Sequence, residues 1–269
     1  MTKLPSFCFV LSAGLVITFA LPLSAARAVD EAKQFESQSW SFNGPFGAFD
    51  RAQLQRGFQV YKDVCSNCHS MRLLSYRNLG ESGGPEFSPQ DVNTLASQVQ
   101  VTDGPNDKGE MFQRPARPSD PFRSPFPNDA AARAANRGTL PPDLSVMAKA
   151  RPGGPDYIYA LLTGYRQPPL GFELSSGMQY NIVFPGHQVA MPQPLFDGVV
   201  NYTDGTRPTL NNYARDVSAF LMWAAEPKLE ERHRFGATVM IYLIAFGVIM
   251  FLAKRSVWAR LHGKASHTA

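Results

Sequence analysis

The chain has 269 residues, of which 44% are hydrophobic, 12% aromatic and 18% charged. That aromatic content can build a core, which excludes a wholly disordered chain. Only two stretches, one at each end, are apolar enough to meet a bilayer, which excludes a multi-span membrane protein. The formal charge of +4 and a pI near 9.0 point to a nucleic-acid or membrane-surface partner only if the bases cluster on one face.

The first 28 residues read as a secretory signal peptide. Lys3 gives the positive start, Phe7 to Leu23 is almost wholly apolar or small, and Ala26-Arg27-Ala28 has the A-x-A form of a cleavage site. Ser12, Gly14 and Pro22 interrupt the apolar run, which argues against an uncleaved anchor. The mature chain then starts near Val29, in an oxidising compartment outside the cytoplasm.

Residues 29 to 49 form an irregular lead-in with Trp40, Phe42, Phe46 and Phe49. Leu54, Phe58, Tyr61 and Val64 then recur at helical spacing, predicting a helix over 50–69. It runs into Cys65-Ser66-Asn67-Cys68-His69, the C-x-x-C-H pattern of c-type haem attachment. The order suits the chemistry. Two thiols three residues apart add to the two haem vinyl groups as thioethers, and His69 is placed to give an imidazole nitrogen to the iron. A thioredoxin-like pair would open a helix after a buried strand, and here the motif closes a helix. A zinc site would need further ligands, and Cys8 is lost with the signal, so no third cysteine remains.

Seventeen of the 22 prolines lie between Pro85 and Pro194, so that span reads as loops and short helices. Residues 80 to 128 look like an insertion, with eight prolines from Pro85 to Pro127. Within it Glu81, Glu86, Asp91, Asp103, Asp107 and Glu110 face a single base, Lys108, an acidic run that could be a docking face for a basic partner or a solvated loop. A haem iron has a second axial position. Met71 is too close to His69, and Met222, Met240 and Met250 lie in or beside the C-terminal apolar helix. Met111, Met147, Met178 and Met191 remain, with His187 as the one candidate histidine. Met191 leads, because Pro185, Pro192 and Pro194 stiffen its loop.

Asn211 to Ala225 has helical spacing at Tyr213, Val217, Phe220, Leu221 and Ala224, with Asn211 or Asn212 as a cap. Pro227 marks a break. Phe235 to Ala253 is then uncharged over 19 residues, and at 1.5 Å per residue spans roughly 28 Å, close to a bilayer core. Arg232, His233 and Arg234 precede it, and Lys254, Arg255, Arg260, His262 and Lys264 follow. The division is therefore 1–28 signal, 29–234 exported domain, 235–253 transmembrane helix and 254–269 basic cytoplasmic tail. Without the signal and the tail, the exported part keeps 20 bases and 22 acids. The positive excess sets orientation in the membrane, and a nucleic-acid partner is not expected.

Cys65-Ser66-Asn67-Cys68-His69-Ser70 resembles the haem motif of the cytochrome c1 family. So do Ala131 to Asn136, Leu140-Pro141-Pro142-Asp143-Leu144-Ser145, Leu161-Leu162-Thr163-Gly164-Tyr165, Phe184-Pro185-Gly186 and Trp223-Ala224-Ala225-Glu226-Pro227, in the family's order. The resemblance covers essentially the whole mature chain. It implies a mainly α, cytochrome c-like haem domain with long loop insertions and one C-terminal transmembrane helix. It implies one covalent haem c on Cys65 and Cys68, with His69 and Met191 as axial ligands. Arg151 would meet a haem propionate, while Asn136, Pro142, Tyr157, Leu161 and Phe184 would line the haem. Members of this family often carry a further cysteine or cysteine pair in the exported domain, and this chain has none.

The function so implied is a relay of single electrons in the cytochrome bc1 complex. Electrons would pass from the Rieske iron–sulfur subunit to a soluble periplasmic cytochrome of the c2 type. Cytochrome b would be the other partner and the complex dimeric, in a bacterial inner membrane. The alternatives are the haem c subunit of a terminal oxidase and a membrane-anchored haem enzyme or sensor with an open axial position.

Overall fold

The structure is a computed structural model that describes residues 35–265. The signal-peptide reading of 1–28 lies outside the described residues. The elements follow from local capping. Asp50 accepts a hydrogen bond from the Gln53 amide (3.1 Å) and starts α1, Arg51–Asp63. Ser88 caps α2, Pro89–Ser97, with proline at its tolerated first position. Asn128 caps α3, Asp129–Ala135. Two short helices, α4 (Met147–Ala150) and α5 (Pro155–Thr163), lead to the long α6, Leu210–Ala225. The last helix, α7, runs Leu229–Ala265. Among the described residues, paired strands form two antiparallel sheets. One joins β1 (Gln100–Asp103) to β2 (Phe112–Pro115), the other β3 (Gln179–Tyr180) to β4 (Gln188–Val189). The domain is mainly α, as expected.

Three boundaries differ from the sequence reading. Helix α1 stops at Asp63 rather than reaching His69. Thr209, not Asn211 or Asn212, caps α6 through its hydroxyl on the Asn212 amide. The insertion at 80–128 holds the short helix α2, in line with the reading of loops and short helices, but also the β1–β2 hairpin, which that reading lacked. Arg114 braces that hairpin, pairing with Asp103 across it and with Asp120 at 2.6 Å. The acidic run is correspondingly less free than its sequence shows. Glu86 pairs with Arg51 at 3.0 Å, Asp103 with Arg114, and Glu81 accepts from Asn78 at 2.9 Å.

The core is built where α1 crosses α6. Leu54, Phe58 and Tyr61 face Val217, Phe220 and Trp223, and Phe122 closes the cluster. Ring centroids of Phe58 and Phe220 lie 5.8 Å apart, and those of Tyr61 and Phe122 5.9 Å. Gly57 sits at the crossing. A Cβ there would come within 2.2 Å of the Asp216 carbonyl oxygen and 2.6 Å of the Phe220 Cβ. Asp216, itself buried, accepts from Arg56 (2.8 Å), Gln53 (3.2 Å) and Tyr202 (2.8 Å).

The lead-in is pinned by Asp156 at the start of α5. It accepts from Ser37 Oγ (3.0 Å), the Gln38 amide (3.0 Å) and Trp40 Nε1 (2.6 Å). Helix α7 begins on the domain surface. Arg51 forks onto Glu230 at 2.6 and 2.9 Å, the Phe49 amide donates to Glu230 at 2.8 Å, and His233 Nδ1 donates to the Gly47 carbonyl at 3.1 Å. Beyond this foot the helix is exposed and apolar. It is the one helix among the described residues long and apolar enough to cross a membrane.

Gly57→Ala should lower the unfolding free energy by about 2 kcal/mol, the usual cost of overpacking a closed helix crossing. A denaturant titration followed by circular dichroism checks this.

Candidate haem-binding site

The C-x-x-C-H segment is shaped by its two middle residues. Ser66 Oγ donates to the Lys62 carbonyl at 2.6 Å, and Asn67 Nδ2 donates to those of Asp63 (3.3 Å) and Val64 (3.1 Å). These bonds satisfy the last carbonyls of α1, which would otherwise lack partners. The chain tightens into a 3₁₀ turn over Cys65–Asn67, with the Cys68 and His69 amides both donating to the Cys65 carbonyl (3.1 and 2.9 Å). Both cysteines are unpaired thiols, Cys65 half-buried and Cys68 exposed. Burial, reinforced by the neighbouring Cys68, pushes the Cys65 thiol up to about 12.

His69 is oriented by the segment 142–145. Its Nδ1 lies 2.8 Å from the Pro142 carbonyl oxygen, which can only accept, so Nδ1 carries the proton and Nε2 keeps its lone pair. Burial holds the imidazole below its ordinary range, against the opposing pull of the Pro142 bond and the Asp143 charge. The ring is therefore neutral at pH 7. Pro142 is itself fixed by a zip of bonds around Asp143. This carboxylate accepts from Ser70 Oγ (2.7 Å), the Arg72 amide (3.0 Å) and the Ser145 amide (2.9 Å). The Leu144 amide donates to the Ser70 carbonyl (2.9 Å), and the Leu73 amide to Ser145 Oγ (3.1 Å). Burial disfavours the Asp143 charge, but the bonds from Ser145, Arg72 and Ser70 outweigh it and hold the carboxyl below the usual carboxylate range.

The other expected residues lie on α3, α5 and the loops that follow. Asn136 closes α3, its Nδ2 donating to the Ala132 carbonyl at 2.7 Å. Arg151 is exposed just after α4, donating to the Ala150 carbonyl at 3.0 Å, and Tyr157 is buried on α5. Leu161 lies later on α5. Its carbonyl accepts from Asn181 Nδ2 at 2.8 Å, and Asn181 Oδ1 accepts from the Phe184 amide at 3.2 Å. Tyr165 OH donates to the Met191 carbonyl at 3.0 Å. Cys65, Leu161 and Met191 all pack against the one hydrophobic core. His187 is turned instead to the Asn181 carbonyl (3.1 Å) and packs beside Tyr180.

Sequence reasoning did not single out Asp143, Tyr165 or Asn181. The first two lie in family-like segments, Pro141-Pro142-Asp143-Leu144-Ser145 and Leu161-Leu162-Thr163-Gly164-Tyr165, which mark their neighbourhood. Asn181 stands between Tyr180 and Ile182 with nothing in its spacing to mark it.

The profile of the Cytochrome C1 family matches residues 40–261. The chain belongs to the cytochrome c1 family. That family is the haem subunit of the cytochrome bc1 complex. The chain is 42% identical over 265 residues to the cytochrome c1 of Rhodospirillum rubrum, covering 93% of this chain and 95% of that one. It is 46% identical over 226 residues to the mitochondrial cytochrome c1-2 heme protein of Solanum tuberosum, covering 83% and 86%. It is 47% identical over 259 residues to the cytochrome b/c1 protein of Bradyrhizobium diazoefficiens. That match covers 89% of this chain but only 38% of the longer relative.

Members of the family carry one covalently bound haem c, and the donor set here fits it. Two unpaired thiols stand three residues apart, followed by a neutral imidazole whose Nδ1 is already committed. No group of three His, Cys, Asp or Glu side chains that could hold a bare metal ion occurs among the described residues.

Asp143→Ala should cost about 2 kcal/mol of stability, since it orphans donors on both sides of the His69 zip. The pH dependence has a definite sign. The folded-state pKa is depressed, so this stability is present above the unfolded value near pH ~4 and is lost as pH falls through the folded value. Acid titration of parent and variant, followed by circular dichroism, should show the parent losing more stability in that window.

Proposed function

We propose that the chain is the membrane-anchored electron relay of a bc1 complex, with haem c held by Cys65, Cys68, His69 and Met191. Two observations support this. The chain matches cytochrome c1 relatives along nearly their full length, and His69 presents a free Nε2 beside two unpaired thiols. When bound, the haem supplies a one-electron ferric/ferrous couple. Everything else is the work of the chain. The turn at Cys65–Asn67 sets the spacing of the two thiols. Pro142 fixes the imidazole plane and raises its basicity through the Nδ1 bond. Met191 would hold the iron of a bound haem through a neutral thioether, which would favour the ferrous state and shut out small ligands. Arg151, exposed just after α4, would pair bidentately with a propionate carboxylate. Asn136, Pro142, Tyr157, Leu161 and Phe184 shape the surroundings and keep water away.

The electron donor in this reading is the Rieske iron–sulfur subunit, and the acceptor a soluble c-type cytochrome. Cytochrome b is the membrane partner of α7, in a dimeric complex. The signal read at 1–28 and the basic residues after Ala253 support a haem domain in the periplasm and a C-terminus in the cytoplasm. In the 80–110 stretch Glu86 and Asp103 pair with Arg51 and Arg114, while Glu81, Asp91, Asp107 and Glu110 form no ion pair among the described residues, so those four acids carry the docking reading.

Met191→Leu decides the ligand assignment. The variant should lose the methionine–iron charge-transfer absorption, drop markedly in reduction potential and bind CO when reduced. Unchanged absorption, potential and CO silence would exclude Met191. Co-purification of b-type haem and a [2Fe–2S] protein with the detergent-extracted chain separates a bc1 complex from a terminal oxidase.

A further inference from the structure

A thioether is a weak, neutral ligand, so its hold on a metal depends on how firmly the protein keeps its segment in place. The Met191 segment lies 122 residues from His69. The cysteines among the described residues are Cys65 and Cys68, both unpaired. No covalent cross-link therefore holds the segment to the rest of the domain. Polar contacts instead converge on it from the end of α5.

Asn181 is fully buried, and every polar atom it has is used. Its Nδ2 donates to the Leu161 carbonyl (2.8 Å) in the last turn of α5. Its Oδ1 accepts from the Val183 (2.9 Å) and Phe184 (3.2 Å) amides. Its amide donates to the His187 carbonyl (3.0 Å), and its carbonyl accepts from His187 Nδ1 (3.1 Å). His187 is held at φ +58°, an uncommon conformation for a non-glycine residue, and the two bonds to Asn181 fix it there. Gly164 lets Asn181 approach α5. A Cβ at Gly164 would stand 3.0 Å from Asn181 Oδ1 and 2.7 Å from the Ala160 carbonyl oxygen. One residue on, buried Tyr165 pairs with Asn181 as an isolated β-bridge and donates its hydroxyl to the Met191 carbonyl at 3.0 Å.

We infer that Asn181 and Tyr165 are positioning residues that brace Met191 against α5 in place of a cross-link, keeping the sixth position closed. The inference rests on Met191 being the ligand. Asn181 locks the turn over 183–187, and Tyr165 holds the chain at Met191 itself. Asn181 is tied to the last turn of α5 through the Leu161 carbonyl, and Tyr165 follows two residues after that helix ends. Loss of either lets the methionine leave more often while the helical frame stays intact.

The test uses the full-length, detergent-extracted holoprotein and four forms: parent, Tyr165→Phe, Asn181→Ala and Met191→Leu. Tyr165→Phe removes only the hydroxyl, and so remains informative if Asn181→Ala fails to fold. CO is the probe, because it binds reduced haem only when the methionine is off. Tyr165→Phe should take up CO about five- to tenfold faster than the parent, the factor that one net hydrogen bond supplies. The charge-transfer absorption should vanish at a lower temperature than in the parent, while the far-ultraviolet helical signal melts where it did before. A merely structural role would move both melts together, and that result would overturn the brace. CO uptake within twofold of the parent in Tyr165→Phe, with Met191→Leu binding CO, would also overturn it while leaving the ligand assignment standing. If Met191→Leu keeps the charge-transfer absorption, the ligand reading fails and the brace fails with it.

Discussion

The close approach of α1 and α6 at Gly57 is the constraint on which the rest of the domain depends. A glycine is needed because the Asp216 carbonyl stands where a Cβ would be. Helix α1 delivers the cysteine motif at its C-terminal end, and α6 delivers the chain to the foot of α7. One crossing thus fixes the motif relative to the membrane helix. The aromatic faces of Phe58, Tyr61, Phe220 and Trp223 make that crossing favourable, each contributing on the order of 2 kcal/mol by burial. Asp216 would be costly there alone. Donation from Arg56, Gln53 and Tyr202 satisfies its oxygens and ties the crossing to the loop at Tyr202.

Outside the two long helices, much of the chain is irregular and rich in proline, which lacks an amide donor. Such backbone cannot satisfy itself through helix or sheet ladders. Three Asx side chains take over that task. Asp156 gathers the lead-in, Asp143 gathers the segments around His69, and Asn181 gathers the turn before Met191. Each is short, so its acceptor atoms sit close to the main chain, and each accepts from at least one backbone amide. Ser218 Oγ is the one buried side-chain polar atom without a partner among the described residues. The irregularity is therefore well satisfied, and the loops can hold side chains in fixed positions.

This division explains what was legible in the sequence. The spacing of Leu54, Phe58 and Tyr61, and of Tyr213, Val217 and Phe220, reports burial on one face of a helix, so α1 and α6 could be read directly. The C-x-x-C-H motif and the uncharged run from Phe235 are local in the same sense. The end of α1 was misread because apolar spacing says nothing about Ser66 and Asn67, whose side chains turn back onto its last carbonyls. The hairpin in 80–128 was hidden because Arg114 finds its partners only in the folded chain. The circuit behind the candidate ligands was hidden more deeply. Asp143 meets Ser70 across 73 residues, and Asn181 meets Leu161 across 20. No periodicity records such pairs.

The junction between domain and membrane helix follows from the same logic. Only Glu226, Pro227 and Lys228 separate α6 from α7. Proline prevents one continuous helix, and a break of that kind could act as a hinge. Two carboxylates oppose it. Glu226, nearly buried, accepts from Lys149 of α4 at 2.7 Å and pairs with Arg232 of α7. Glu230 takes the fork of Arg51 and the Phe49 amide. The first turn of α7 is thus gripped by α1, α4 and the lead-in together. Exposed ion pairs contribute little singly, but these share half-buried carboxylates and backbone donors, which makes the grip geometric as well as electrostatic. The basic residues flanking the apolar run therefore divide their roles. Arg232 and His233 dock the helix foot to the domain, while Lys254 and Arg255 stand exposed at the far end of the apolar run.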